Sequence, residues 1–257
     1  MIVNGDFMMR LADAAAEQTL PRFRQAGLVD NKLTTGFDPV TEADREAELA
    51  IRALIREAFP DHGILGEEFG SENSDARHVW VIDPIDGTRA FISGMPLWGT
   101  LVGLTDNGDA VEGMMSQPFI GELFWTEGDR SLYQGPRGNR TLSTKTTTDL
   151  ADALMCTTTP TLFVDAKRVS YDNLESKVRL ARYGTDCYAY AMLAAGHIDL
   201  VVETGLQPYD IVALVPIIEK AGGVVTTWDG GPAEKAGDIV AAATPELHEA
   251  ALAMLRG

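Results

Sequence analysis

The chain has 257 residues, 45% hydrophobic and 23% charged, which is the balance of a globular protein with a substantial core. Its formal net charge of −17 excludes the protein classes that bind nucleic acid or anionic membranes, because these need clustered lysine and arginine. The sequence lacks a signal-peptide pattern, and no apolar run approaches the ~20 residues that cross a bilayer. Cys156 and Cys187 allow one disulfide bond, but two free thiols in a reducing compartment are the simpler interpretation. We therefore expect a soluble, cytoplasmic protein.

The first half of the chain predicts two helices followed mainly by strands. Apolar residues at helical spacing indicate an amphipathic helix over residues 6–25. Thr41 is typical of an N-cap, with Asp44 in the first turn of a helix that runs to about Phe59. The predicted strands cover residues 64–65, 78–82 and, with turns at 106–108 and 118–121, the segment 97–126.

The second half alternates strands and helices. The polar, glycine-containing segment 133–148 precedes it, and we divide the chain into an N-terminal half, residues 1–140, and a C-terminal half, residues 141–257. The predicted strands cover 153–158, 178–183 and 198–203 and lie near Val224 and Ile239, with helices at 165–176, 186–196 and 209–220 and after Pro245. Such alternation predicts an α/β layered architecture.

The segment from Trp80 to Thr88 combines a buried strand with a sharp acidic turn. The strand ends at Asp83, and the turn lets Asp86 and the main-chain carbonyl of Ile85 face the same point. Hard divalent cations prefer this set of oxygen ligands. A helix that begins after Gly87 would add N–H groups and a dipole that bind phosphate. The alternative is that Asp-Pro and Asp-Gly are only turn formers.

Further acids stand at the ends of predicted elements. Glu67 and Glu68 close a short strand, where the alternative to a site is a solvated surface pair. Asp44 and Asp210 lie in the first turns of their helices, where an acid often only complements the helix dipole. An acidic protein that handles phosphate needs something positive to attract the anion, and metal ions held by carboxylates are the obvious candidate.

Four motifs in order resemble the inositol monophosphatase family, which is the lithium-sensitive, magnesium-dependent phosphatase superfamily. The motifs are DPVTEAD at 38–44, GEE at 66–68, DPIDGT at 83–88, and YD at 209–210 with AGG at 221–223. The resemblance covers nearly the whole chain. It implies an α/β (α+β layered) fold, an αβαβα sandwich in two halves with the metal site between them. It also implies a homodimer and two or three Mg²⁺ ions per active site.

The resemblance implies a role for each of these residues. The metal ligands would be Glu67, Asp83, the Ile85 carbonyl, Asp86 and Asp210, with Asp83 bridging two ions. Thr88 and Glu67 would orient and help to deprotonate the attacking water, with support from Asp44. The amides of Gly87 and Thr88 would hold phosphate oxygens. Lys32 lies near the position of a mobile-loop lysine, although the spacing differs.

The residues around this core are similar to those of histidinol-phosphate phosphatases, a branch of the same superfamily that acts in histidine biosynthesis. Inositol phosphatases usually have Thr-Asn-Phe where this chain has RAF at 89–91. The segments GTDCYAY at 184–190 and AGHID at 195–199 are also similar to that branch. Histidinol phosphate carries an ammonium and an imidazole, which carboxylates bind by charge-assisted hydrogen bonds. We therefore expect Asp186 and Glu203 to bind substrate, and the resemblance implies the same for Arg89.

Alternatives remain at this stage for the residues and for the function. Arg89 could form an ordinary surface salt bridge, and Asp186 could be a helix N-cap that bonds its own backbone. The alternative activity in the same class is an inositol-1-phosphate or broad sugar-phosphate phosphatase. The alternative outside that class is a non-enzymatic scaffold of the same fold, which the complete set of acids argues against.

Overall fold

The computed structural model describes residues 3–25, 29–31 and 39–256. Lys32 and Asp38 lie outside these ranges. The α-helices of the described residues are α1 (Gly5–Thr19), α2 (Glu42–Ala58), α3 (Thr88–Ile92), α4 (Asp165–Glu175), α5 (Asp186–Ala194), α6 (Pro208–Ile211), α7 (Leu214–Glu219) and α8 (Pro245–Arg256). Short 3₁₀ helices cover Leu150–Asp152, Pro160–Leu162 and Ala233–Lys235.

The strands form one small and two large sheets. They are β1 (Val29–Asn31), β2 (Pro39–Thr41), β3 (Gly63–Gly66), β4 (Gly70–Glu72), β5 (His78–Asp86), β6 (Gly99–Asp106), β7 (Asp109–Gln117), β8 (Glu122–Glu127), β9 (Arg130–Gly135), β10 (Gly138–Thr141), β11 (Leu154–Thr157), β12 (Leu180–Tyr183), β13 (Leu200–Leu206), β14 (Val224–Thr227) and β15 (Gly237–Ala242). β1 pairs with β2, an eight-stranded sheet has the order β10-β9-β8-β7-β6-β5-β3-β4, and a five-stranded sheet has the order β12-β11-β13-β15-β14. β3 is parallel to β5, and β11 is parallel to both β12 and β13.

Helical and sheet layers alternate through the molecule. α1 and α2 cover one face of the eight-stranded sheet, where Leu11 and Ile51 pack on Trp80. α5, α6 and α7 fill the space between the two large sheets. α4 and α8 cover the outer face of the five-stranded sheet. The predicted αβαβα sandwich is therefore confirmed.

The eight-stranded sheet ends at Thr141, and the five-stranded sheet begins at Leu154. The predicted division at 140/141 thus falls at the last strand of the first large sheet. Helices α5, α6 and α7 pack on both large sheets and join them through one hydrophobic core. The division into two halves stays a prediction.

The beginning of α2 and the end of α1 follow from local chemistry. The Thr41 hydroxyl accepts the Ala43 N–H at 3.1 Å, and Asp44 Oδ2 accepts the Thr41 N–H at 2.8 Å. This capping box confirms the predicted N-cap. α1 ends at Thr19, earlier than predicted, because Pro21 lacks the N–H that would continue the helix.

The helix predicted over 209–220 is two short helices, α6 and α7. Pro216 has no N–H to donate to the carbonyl four residues earlier, so the helical pattern is interrupted there. The break between α6 and α7 is at residues 212–213, where Ala213 lies against the eight-stranded sheet. A Cβ at Gly103 or Gly113 of that sheet would overlap the backbone of Ala213. These two glycines let α6 approach the sheet and bring Asp210 to β5.

Candidate active site

Three carboxylates meet at the carboxyl end of β5. Asp83 and Asp86 lie on this strand, and Asp210 comes from α6, which packs on β5 and β6. One carboxylate oxygen of each lies within 4.8 Å of the others. The pairing of β5 with β6 shifts between Asp83 and Asp86, and such an irregularity re-aims side chains. β5 therefore extends past Asp83, its predicted end, and carries both acids to the site.

Each of the three carboxylates is held by a main-chain N–H group. The bonds run from Ile85 N–H to Asp83 Oδ1 (3.0 Å), from Cys187 N–H to Asp86 Oδ2 (2.7 Å) and from Gln207 N–H to Asp210 Oδ2 (2.7 Å). The donors belong to three different segments of the chain. The backbone therefore fixes each acid independently of the other two.

Glu67 joins these acids from the neighbouring strand. β3 runs parallel to β5 with Gly66 opposite Ile82, and the N–H of Glu67 donates to the Ile82 carbonyl at 3.1 Å. The Glu67 carboxylate shares a hydrogen bond with Asp83. The four carboxylates predicted as metal ligands thus lie together. We call Glu67, Asp83, Asp86 and Asp210 the metal cluster.

Burial and mutual repulsion both disfavour negative charge on the metal cluster. The pKa of Asp83 is raised well above its ordinary value by burial and then by Glu67, Asp86 and Asp210. The pKa of Asp86 is raised by burial and then by Asp186 and Asp210. A bound divalent cation would offset this repulsion, and hard cations take carboxylate oxygens as ligands. The donor set therefore fits Mg²⁺.

Asp44 and Thr88 lie beside the metal cluster. The Thr88 hydroxyl is 3.1 Å from the Ile85 carbonyl and 3.5 Å from Asp44 Oδ1. Burial raises the pKa of Asp44 to about 6, although its hydrogen bonds from Thr41 act in the opposite direction. Repulsion from Glu67 is a smaller contribution to this rise. Asp44 thus has two contacts, because one oxygen caps α2 and the other faces Thr88.

The turn before α3 requires glycine for two reasons. Gly87 has φ 81°, which is left-handed backbone that favours glycine. A Cβ at this position would also lie 3.1 Å from Asp186 Oδ2, so the Asp186 side chain covers the turn. No side chain caps the N-terminus of α3 within the described residues. The main-chain N–H groups at Gly87 and Thr88 therefore begin a short helix beside the metal cluster.

Asp186 and Glu203 form a second acidic group, which we call the acid pair. Both contact the residues that end β11. Glu203 is 2% exposed and accepts the Thr158 N–H at 2.5 Å and the Thr157 hydroxyl at 3.2 Å. Asp186 has a side-chain hydrogen bond with Thr158. Burial raises the pKa of Glu203 to about 8 despite the hydrogen bonds that it accepts.

Asp186 does not have the N-cap role that the sequence left open. Thr185 is the N-cap residue of α5, and Asp186 is the first residue of the helix, with φ 42°. Burial raises the pKa of Asp186, while the bond with Thr158 and the charge of Arg89 lower it. Arg89 is exposed on α3. The three predicted substrate residues are therefore linked: Arg89 acts on Asp186, and Asp186 and Glu203 share Thr158.

Tyr190 is a residue that the sequence analysis missed. Its side chain is 3% exposed, and its hydroxyl has no hydrogen-bond partner among the described residues. Burial raises its pKa, and the next contributions come from Glu203, Asp86 and Asp210. The hydroxyl is therefore close enough to both acidic groups for their charges to act on it. Tyr190 follows Asp186 by one helical turn, and this spacing was the available signal.

The chain is similar to known proteins in sequence and in overall fold. The sequence model of the inositol monophosphatase family matches residues 6–257. The chain is 39% identical over 257 residues to the chloroplastic bifunctional phosphatase IMPL2 of Arabidopsis thaliana, covering 95% of this chain and 72% of that protein. It is 34% identical over 254 residues to the histidinol-phosphatase of Streptomyces coelicolor, covering 95% and 94%. An inositol monophosphatase structure from Zymomonas mobilis superimposes with a TM-score of 0.87 and 41% identity, covering 98% and 97%.

The layered fold and its carboxylate site define a metal-dependent phosphatase that acts on phosphate monoesters. The chain belongs to the inositol monophosphatase family. Members of this family hydrolyse small phosphorylated substrates. Within the described residues, no helix is long and apolar enough to cross a membrane.

Proposed function

We propose that this phosphatase hydrolyses L-histidinol phosphate in a Mg²⁺-dependent reaction. The observation that carries the proposal is the acid pair. Two carboxylates beyond the metal cluster share one strand end, and Asp186 covers the turn at Gly87. The similarity to the histidinol-phosphatase of Streptomyces coelicolor supports this substrate.

The metal cluster would hold the ions. One Mg²⁺ would take Glu67, Asp83 and the Ile85 carbonyl as ligands, and a second would take Asp83, Asp86 and Asp210. When bound, Mg²⁺ neutralises phosphate charge, lowers the pKa of bound water and stabilises the leaving oxygen. The proposed number of Mg²⁺ ions is two or three per active site.

The residues beside the metal cluster would orient water and phosphate. The Thr88 hydroxyl has two acceptors, Asp44 and the Ile85 carbonyl. When the Thr88 O–H donates a hydrogen bond to Asp44, the Thr88 oxygen can accept a hydrogen bond from the attacking water. Glu67 is the nearby base for the water proton. The N–H groups of Gly87 and Thr88 would bind phosphate oxygens, where a helix N-terminus favours negative charge.

The leaving group distinguishes the candidate substrates. Histidinol phosphate has an ammonium and an imidazole, whereas inositol phosphate has hydroxyl groups. Asp186 and Glu203 offer acceptor oxygens, and the charge of a bound ammonium would offset the burial that keeps Glu203 protonated. Bonds from a cation to a carboxylate are the strong ones. The Tyr190 hydroxyl can add a further acceptor. A carboxylate also binds a polyol, so Glu203 alone does not discriminate, and Asp186 is the more informative residue.

The second candidate is an inositol-1-phosphate phosphatase, which the similarity to the Zymomonas mobilis inositol monophosphatase favours. A phosphate-release assay with L-histidinol phosphate and inositol 1-phosphate, with and without Mg²⁺, separates the two. We expect a higher kcat/KM for histidinol phosphate and no activity after EDTA treatment. A preference for inositol 1-phosphate would refute the substrate, and EDTA-resistant activity would refute the metal-dependent mechanism.

We also propose that the protein is a homodimer, as the family resemblance implies. Size-exclusion chromatography with light scattering measures the mass in solution. A mass of twice that of the chain is the expected result, and a monomer mass across the working concentrations would exclude the dimer.

A further inference from the structure

Helix α2 carries a buried ion pair next to the segment that contains Glu67. Glu48 is completely buried, Arg52 is 2% exposed, and Arg52 Nε donates to Glu48 Oε1 at 2.7 Å. A buried ion pair adds little to stability, because the loss of hydration of both charges offsets their attraction. The presence of this pair therefore indicates a role other than stability.

The ion pair binds the backbone that follows Glu67. Its bonds reach three consecutive residues: Glu68 N–H to Glu48 Oε2 (2.7 Å), Phe69 N–H to Glu48 Oε1 (3.3 Å), and the Arg52 guanidinium to the Gly70 carbonyl. The residue on the other side of Glu67 contacts the pair as well. A Cβ at Gly66 would overlap the Glu48 carboxylate, so the chain passes directly over it. The ion pair therefore touches the chain on both sides of Glu67.

Glu67 needs such a restraint because it lies among other acids on a loop that is only partly buried. Its carboxylate lies beside Asp83 and is close enough to Asp44 to raise the pKa of that residue. Like charges this close favour movement of one of them toward water. Glu67 is only half-buried, and the loop that carries it could move outward. The bonds to residues 68–70 oppose that movement.

We propose that Glu48 and Arg52 are positioning residues that hold Glu67 in place to bind a metal ion. The identity of the ion rests on the proposed function. Glu48 follows Asp44 by four residues on α2. One face of this helix therefore supports both the Thr88 contact and the Glu67 segment. Residues that orient metal ligands typically affect metal affinity by about 10–100-fold.

The test measures Mg²⁺ binding by isothermal titration calorimetry without substrate. Glu48→Gln keeps the side-chain size but puts an amide NH₂ where two oxygens accept N–H groups. We expect Mg²⁺ affinity to fall by about tenfold or more. The matched control is Glu112→Gln. Glu112 is 4% exposed and pairs with Lys220 at 3.2 Å and the Thr126 hydroxyl at 2.6 Å, at the contact of β7 with α7.

Thermal melts of both variants separate positioning from folding. We expect both variants to melt at a lower temperature, but only Glu48→Gln to lose Mg²⁺ affinity. Unchanged affinity in Glu48→Gln, or an equal loss in Glu112→Gln, would overturn the proposal. If Glu48→Gln does not fold, Gly66→Ala replaces it, because the added Cβ displaces the Glu48 carboxylate while both charges stay. Unchanged affinity in that variant would also overturn the proposal.

The binding readout keeps this inference separate from the proposed function. Wild-type protein that binds Mg²⁺ but hydrolyses no phosphate monoester would refute the proposed function and leave the positioning role standing. Normal hydrolysis with unchanged Mg²⁺ affinity in Glu48→Gln would refute the positioning role alone.

Discussion

The metal cluster and the acid pair lie next to each other, but the chain fixes them in different ways. In the metal cluster, Asp83, Asp86 and Asp210 are each held by an N–H group from a separate segment. In the acid pair, Asp186 and Glu203 both depend on Thr158. The three aspartates have separate backbone donors, whereas both members of the acid pair bond Thr158, to which Glu203 adds a bond from the Thr157 hydroxyl.

This difference predicts how substitutions combine. Independent supports let one metal ligand change without moving the other two. A shared support couples the two residues, and residues in one hydrogen-bond network show non-additive effects. In the acid pair, a change at one residue is therefore expected to alter the support of the other. In the metal cluster, the charges are coupled, but the backbone support of each aspartate should stay in place when another aspartate changes.

The largest expected effect is at Asp83, which is the proposed ligand of both ions. Asp83→Asn removes one negative charge from both proposed metal positions. We expect kcat to fall by at least about 10³-fold, roughly 4 kcal/mol of transition-state stabilisation. Steady-state kinetics at saturating Mg²⁺ measures it. Activity within tenfold of wild type would show that Asp83 does not bridge two ions.

The next effect concerns pH and the acid pair. The pKa of Glu203 is about 8 in the folded protein and ordinarily 4.5, so protonated Glu203 stabilises the folded state at low pH. This contribution is complete below about pH 4.5 and is lost as the pH rises through 8. For metal-free protein we expect Glu203 by itself to contribute a loss of roughly 3 kcal/mol between pH 5 and pH 8, beside the losses from the other buried acids whose pKa values are raised.

Glu203→Gln should remove this contribution and leave that of the other buried acids, because a glutamine does not ionise. Denaturant unfolding in EDTA at pH 5 and pH 8 measures it for both proteins. Asp229→Asn is the control, since Asp229 is exposed and its pKa is lowered by the hydrogen bond from Thr227. An unchanged pH slope in Glu203→Gln would mean that another group is responsible.

At Asp210 we expect a smaller effect than at Asp83, because this residue would bind one ion. Asp210→Asn should weaken Mg²⁺ affinity and reduce activity by about 10²-fold. Because the supports of Asp83 and Asp86 are separate, part of the loss should recover at high Mg²⁺. Turnover equal to wild type at every Mg²⁺ concentration would mean that the second metal position is wrong.

Substitutions in the acid pair test substrate choice. Asp186→Asn and Glu203→Gln should each lower kcat/KM for histidinol phosphate by about 1.5–3 kcal/mol, the value of a charged hydrogen bond. Turnover of p-nitrophenyl phosphate should change much less. The double variant should lose less than the sum, because both residues share Thr158. Equal losses on both substrates would mean that these acids support the fold or the metals.

The sequence predicted those parts of the molecule that depend on neighbouring residues. Asp83 and Asp86 are three residues apart, so turn chemistry alone indicates that they converge. The N-cap at Thr41 and the order of strands and helices are local signals of the same kind. The layered fold follows from that order and from the family resemblance.

The parts that the sequence did not predict depend on distant contacts. The partners of Glu48 and Arg52 lie in the loop at residues 68–70, and α2 alone gives no sign of them. The role of Tyr190 appears only when α5 packs beside Glu203 and Asp210. Pro216 was visible in the sequence as a residue that interrupts a helix, but the break lies at residues 212–213, and its role depends on the contact of Ala213 with the sheet.

The smallest expected effect is at Tyr190, whose buried hydroxyl is acted on by the charges of both acidic groups. A buried hydroxyl without a hydrogen-bond partner lowers the stability of the folded protein. A hydrogen bond to a ligand or to water offsets that loss. Tyr190→Phe should therefore keep or raise the melting temperature of the free protein. It should also lower kcat/KM for histidinol phosphate by about 3–10-fold, the value of one neutral hydrogen bond.

The control is Tyr171→Phe, because the buried Tyr171 hydroxyl donates to Glu175 at 2.8 Å on α4. That control should lose stability by about 1 kcal/mol without a change in substrate preference. If Tyr190→Phe lost as much stability as the control, its hydroxyl would have a partner within the protein, and its place in substrate binding would be refuted.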